Sequence, residues 1–162
     1  MATTETEIKE ISRIHAEEFL GEGDLDHVDE HIADDYVWHR PEETDSVHGP
    51  DEVKEFGRGL RIAFPDIEVT VEDIFAKDDK VVRRDRYTGT HKGEFRGIPS
   101  TGKEIEIQVI VINRFEDGQM VESWGIGDTM GLLQQLGFIV MPGPKLMVRM
   151  VIGKVKSRLF GG

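Results

Sequence analysis

The chain changes its apolar period once. Up to Pro65, apolar residues recur at helical spacing; beyond it, they alternate with polar ones. Ile8, Ile11, Ile14 and Phe19, with Glu and Lys between them, predict an N-terminal helix that Gly21 and Gly23 break. Asp24 can cap a second, short helix with Leu25, Val28 and Ile32 on one face. Asp34–His39 reads as a short strand or extended turn, and Pro41–Pro50 as a polar loop. Asp51 opens a third helix in which Val53, Phe56, Leu60 and Phe64 align, and Pro65 stops it.

The second half predicts strands. Ile67, Val69 and Val71 alternate with Glu68, Thr70 and Glu72 in a strand that runs to Phe75. Asp78-Asp79 makes a turn into a strand over Lys80–Thr90. The segment from Gly89 to Gly102 is too long and too rich in glycine for a simple hairpin turn. Glu104–Phe115 is the longest strand, with Ile105, Ile107, Val109 and Val111 on one face and Glu104, Glu106 and Gln108 on the other. Glu116-Asp117-Gly118 signals a hairpin, Gln119–Ile126 a returning strand, and Asp128–Leu136 a short helix with Gly137 as its C-terminal cap. Helices followed by a four-stranded antiparallel meander make an α+β domain over residues 1–137. A cone-shaped, curved antiparallel sheet wrapped around the N-terminal helices would leave a conical cavity. Residues 138–162 form a basic, apolar C-terminal extension, opened by Pro142-Gly143-Pro144. It reads as a helix packed on its own acidic domain or on a second subunit, in preference to one lying on an anionic membrane surface.

Charge narrows the partners. The 162 residues carry a net charge of −12, so phosphate is repelled and nucleic acid is not expected as a partner. The extension holds five basic side chains and no acid, leaving 15 basic against 32 acidic side chains in the first 137 residues. Such an acidic surface occurs in proteins adapted to high salt and in ordinary acidic cytosolic proteins. No apolar run is long enough to span a bilayer, and the N-terminus lacks the features of a secretory signal. There is no cysteine, which excludes disulfides and thiolate chemistry and suits a cytoplasmic location.

Several short blocks carry a resemblance. Gly49-Pro50 opens the third helix and Ala63-Phe64-Pro65-Asp66 closes it. Gly89-Thr90-His91, Gly93-Glu94-Phe95, Gly97-Ile98-Pro99 and Thr101-Gly102-Lys103 follow. Then come Arg114-Phe115-Glu116-Asp117-Gly118, Glu122 with Trp124, and Asp128 ahead of Leu132-Leu133-Gln134-Gln135-Leu136-Gly137. In this order and spacing the chain, from about Ile8 to Gly137, resembles the SnoaL-like polyketide cyclases and their ester-cyclase relatives in the nuclear transport factor two-like superfamily. The resemblance implies an α+β cone with a mostly apolar pocket, in a homo-oligomer (a homodimer in its simplest form) joined through the sheet. It implies ring closure by intramolecular aldol condensation of a small apolar carbonyl substrate, with no metal or cofactor. An acidic residue matching Asp128 would be the general acid/base.

The chemistry is plausible for one carboxylate, because a proton between two carbonyls is already acidic and burial would raise the pKa of Asp128. Read from the residues alone, Asp128 is equally a helix N-cap. Ser123 stands where many relatives have His, and Val111 where the characterised cyclase has one. His91, at a strand end among glycines, and His39, just after Trp38, are the candidates to stabilise the oxyanion instead; His91 also reads as an exposed loop residue. Tyr36, Trp38, Trp124 and Val111 are candidate pocket walls, with plain core packing as the other reading of the aromatics. His27 and His31 share a helical face, but with no third ligand nearby they read as surface residues and no metal site is expected. Arg83, Arg84, Asp85 and Arg86 charge both faces of one strand. Either Arg84 or Arg86 enters the cavity, or they pair with Glu106 across the sheet. Two further functions suit the same cavity: a non-catalytic binder of a small apolar metabolite, and an isomerase or hydrolase.

Overall fold

The computed structural model describes residues 3–41 and 45–138. The extension therefore lies outside the described residues, apart from Phe138. Helix α1 (Glu5–Ile14) opens with a capping box, in which the Glu7 amide donates to Thr4 Oγ1 and the Thr4 amide to the Glu7 carboxylate. It runs directly into a π-helical segment, His15–Glu22, which ends at Gly23 with φ 87°. The wider winding turns His15, Ala16, Phe19 and Leu20 inward together. Helix α2 (Asp26–His31) follows. Asp24 accepts from the Asp26 amide at 3.0 Å but precedes the capping position, which Leu25 occupies.

Strand β1 (Ile32–His39) and the two-residue β2 (Val47–His48) flank the polar loop. Helix α3 (Gly49–Ala63) starts two residues earlier than the periodicity predicted, because Pro50 suits its first turn. Strands β3 (Glu68–Lys77), β4 (Lys80–Thr90), β5 (Glu104–Glu116) and β6 (Gln119–Gly127) form the meander, and α4 (Thr129–Leu136) closes the described chain at Gly137. Asp117 and Gly118 both have positive φ, as the tight turn between β5 and β6 requires.

The sheet corrects one expectation. It has six strands in the order β2-β1-β6-β5-β4-β3 and is mixed, because β1 runs parallel to β6. The remaining pairs are antiparallel. A parallel pair needs a long crossover, here supplied by α3 and the meander, and periodicity says nothing about which strand a strand will meet. Register shifts between Val71 and Asp73, and between Arg114 and Phe115, bend the sheet locally. The helices fill its concave side. Ile8, Phe19, Val28, Val53, Phe64 and Met120 are all buried there.

The glycine-rich segment is an ordered, pinned loop. The amides of Lys92 and Gly93 donate to the Ala63 carbonyl at 2.8 and 3.0 Å, which fastens it to the end of α3. A Cβ on Gly93 would stand 2.2 Å from the Ile62 carbonyl oxygen, so only glycine fits. A tight turn over Phe95–Ile98, with Arg96 and Gly97 at positive φ, then carries Phe95 toward the concave face.

Candidate functional site

Alternation selects which side chains face the helices. Along β4 the inward residues are Val81, Arg83, Asp85 and Tyr87, all buried. Along β5 they include Ile107, Val109, Val111 and Asn113; along β6, Ser123, Gly125 and Gly127; along β1, Tyr36 and Trp38. Between this face and the helices lie two adjoining chambers, both lined by Trp38, Tyr87 and Val109.

The outer chamber holds about 110 Å³ and is almost wholly apolar, walled by Trp38, Phe56, Leu60, Phe95, Ile107 and Leu132. Gly125 makes room for the indole: a Cβ there would sit 3.2 Å from Trp38 Nε1. Phe56 meets Trp38 edge-on at 4.7 Å. Two cations flank the opening. Arg40 lies over Trp38 and Phe56, and Arg96 over Phe95 at 5.0 Å. Both also line a shallower groove of about 200 Å³.

The inner chamber holds about 40 Å³; its walls are mainly apolar, and its floor rests on a buried polar cluster. Arg83 donates through Nε to Asp85 Oδ2 at 2.7 Å, and through Nη1 to the Ser12 carbonyl, Ser12 Oγ and Asn113 Oδ1. Ser12 Oγ also donates to Asn113 Oδ1, and Asn113 Nδ2 donates to Ser123 Oγ at 2.6 Å. Burial raises the pKa of Asp85, opposed by the Arg83 charge, and raises the phenols of Tyr36 and Tyr87. His15 lines the same chamber. Burial, then the positive Arg83, hold its pKa well below the ordinary imidazole value, so it is neutral. His15, His27 and His31 form a row of rings 5.5 and 4.8 Å apart. His27 is therefore core and not the surface residue expected; burial, then repulsion from His31, bring its pKa to about 4. Among the described residues no three such side chains converge on a metal position.

The other predicted residues separate. Tyr36, Trp38 and Val111 line the chambers. Trp124 and His39 occupy the opposite face of the sheet, stacked at 5.4 Å. There His39 Nε2 bonds Glu122 Oε1 at 2.8 Å, and Glu122 Oε2 accepts from Arg114. The His39 bond lowers the Glu122 pKa. His91 is fully buried against Phe64, with Nδ1 accepting from the Thr101 amide at 3.3 Å. It lines neither chamber. Asp128 is exposed and lines neither chamber itself, although its chain neighbours Gly127 and Thr129 line the outer one; its Oδ1 accepts from the Gly131 amide at 2.8 Å. Arg84 and Arg86 point outward, pairing with Glu72 and, for Arg86, with Glu106 at 3.8 Å. The floor residues His15, Arg83, Asn113 and Ser123 were not singled out as site residues by the sequence. Their signal was parity: Arg83 shares a face with Val81 and Tyr87, and Asn113 with Val111.

This architecture, a curved sheet closed by helices over an apolar cavity, is the nuclear transport factor two-like fold, also seen in proteins of ketosteroid isomerase-like fold. The family model for SnoaL-like polyketide cyclase matches residues 11–136, and the chain belongs to that family. Among solved structures, TsrD from Streptomyces laurentii is 25% identical with a TM-score of 0.76, covering 85% of this chain and 100% of its own. IdmH from Streptomyces antibioticus, assigned as a polyketide cyclase, is 33% identical with a TM-score of 0.68, covering 81% and 98%. AclR from Streptomyces galilaeus, assigned as a hydroxylase, is 29% identical with a TM-score of 0.74, covering 96% of each. No curated protein matches the sequence. No helix among the described residues is long and apolar enough to cross a membrane.

Proposed function

We propose that this protein is a cofactor-independent cyclase that closes a ring within a small, mostly apolar carbonyl compound by aldol-type condensation. The carrying observation is the apolar outer chamber, lined by Gly127 and Thr129 on either side of Asp128. Apolar walls bind and fold a flexible chain by burial, and folding brings carbon acid and carbonyl together, which supplies much of the rate. Asp128 removes the proton between two carbonyls. The resulting carbanion attacks a second carbonyl carbon, and the new alkoxide takes a proton back, so the product is an isomer of the substrate. One scaffold can host several reactions.

Asp128 also caps α4, so the test must separate the two roles. Asn keeps a capping side chain and Ala does not. With a linear polyketide-like diketone, Asp128→Asn lowers kcat by about 10²–10⁴ at unchanged Tm, whereas Asp128→Ala loses about 1 kcal/mol of stability as well. Full activity in Asp128→Asn would leave the residue a cap alone and favour a binding module.

The same reading takes the outer face of the sheet as the surface of a homodimer in the cytoplasm. Phe75, Val82, Ile112 and Trp124 are neighbours across four strands, beside the pair Ile110 and Ile126. Ile110 and Ile126 are more than half exposed, an apolar patch that a second copy would cover. Sedimentation should give a dimer that Ile110→Lys converts to a monomer; a monomeric parent protein would sink this assembly.

A further inference from the structure

The inner chamber has no role in the reading above, yet it is the most unusual part of the molecule. Burying a polar group is costly unless it is paired. Here His15, Tyr36, Arg83, Asn113 and Ser123, each under 10% exposed, line one space of about 40 Å³. That is room for a water or for the end of a ligand. An apolar filling would have been cheaper. The network is also incomplete: His15 Nδ1 and Asp85 Oδ1 are buried with no partner. His15 sits where α1 gives way to π-helical winding, and such irregular winding is frequent at functional sites.

We propose that the inner chamber is the subsite for the substrate's carbonyl oxygen, with His15 and Ser123 as the side chains that contact it and Arg83 as the fixed positive charge beside it. The substrate then enters carbonyl first. Its apolar body remains in the outer chamber, against Trp38 and Leu132. Asp85 balances Arg83, so the floor accepts a neutral carbonyl in the ground state. The guanidinium and the hydroxyl and imidazole dipoles are already in place around that oxygen, and in a dry site such fixed charges act strongly. Orientation of the substrate rests on the cyclase reading; binding of a carbonyl in the chamber does not.

The test is binding, measured apart from turnover. The probes are 2,4-pentanedione, carrying a ¹³C carbonyl, and benzene as an apolar control. The dione binds the parent protein with a displaced carbonyl resonance, the mark of a hydrogen-bonded carbonyl. His15→Phe, which keeps a ring against Phe19, weakens dione binding at least about tenfold and returns the resonance toward its value in water. Benzene binding is retained in the same variant, which also serves as the check that the cavity is intact. His15→Asn, smaller and still polar, gives an intermediate loss, and Ser123→Ala a smaller one. Asp128→Asn binds the dione as the parent does. The proposal is overturned if the parent protein binds no dione, or if His15→Phe and Ser123→Ala bind it with the parent's affinity and carbonyl shift. Loss of ring closure in Asp128→Asn with dione binding intact separates the two proposals. So does the reverse pattern.

Discussion

Strand β4 carries two arginines side by side in entirely different surroundings. Arg83 is 2% exposed and bonds Asp85, which is fully buried, together with Ser12 and Asn113. Arg84, the next residue, stands on the outer face with its side chain 37% exposed and pairs with Glu72 and Asp73. The chemistry of the two ion pairs is the same, and the medium differs. Outside, water screens the attraction and little is gained by forming it. Inside, each charge has lost several kcal/mol of hydration, and the pair recovers this only through good geometry and extra hydrogen bonds. A buried pair of this kind is poor evidence for stability.

The largest effect expected from breaking this contrast is Arg83→Leu, which leaves the buried Asp85 carboxylate without its donor. It should cost about 3–5 kcal/mol in urea denaturation. The double variant Arg83→Met/Asp85→Leu should recover most of that loss. A double variant as unstable as the single would show that the uncompensated charge is not the cause.

Acid sharpens the contrast next. Burial holds His15 well below the ordinary value of 6.5 and His27 at about 4. Unfolding restores both, so between pH 6.5 and about 4 the unfolded chain binds more protons than the folded one. Stability therefore rises with pH through that window and falls on acidification. A thermal melt at pH 4.5 should give a Tm several degrees below that at pH 7, and His27→Leu should flatten the dependence. The smallest effect belongs to the outer face. Arg84→Ala should change stability by about 0–1 kcal/mol, and less again in molar salt. A loss as large as that of Arg83→Leu would remove the distinction between the faces.

Much of the fold was legible because its signals are local. The alternation over Ile67–Val71 and Ile105–Val111, the turn residues Asp117 and Gly118, and the stop at Pro65 describe neighbours in the chain, and the strands and helix lie where they indicate. Val111 was legible for the same reason, as one of the apolar positions of the Ile105–Val111 alternation; Tyr36 and Trp38, which also line the chambers, came from a segment that read only as a short strand or extended turn. Trp124 was misleading because a large aromatic on a strand looks like core, whereas parity with Glu122 puts it outside. His91 was ambiguous because the glycines around it suggested an open loop, while the bonds from Lys92 and Gly93 to Ala63 press that loop into the core.

By itself, the amino-acid order determined the helices, the strands of the meander, the tight turns and the family, since each rests on periodicity, turn chemistry or motif spacing within a short stretch. Only the tertiary structure decided that β1 pairs in parallel with β6 and that the polar floor exists at all. That floor joins Ser12 to Asn113 across 101 positions, and His15 meets Arg83 only because a π-helical segment packs over the sheet. Contacts between residues so distant depend on how whole elements stack. Stacking is settled by burial over the entire domain, which a local pattern does not encode.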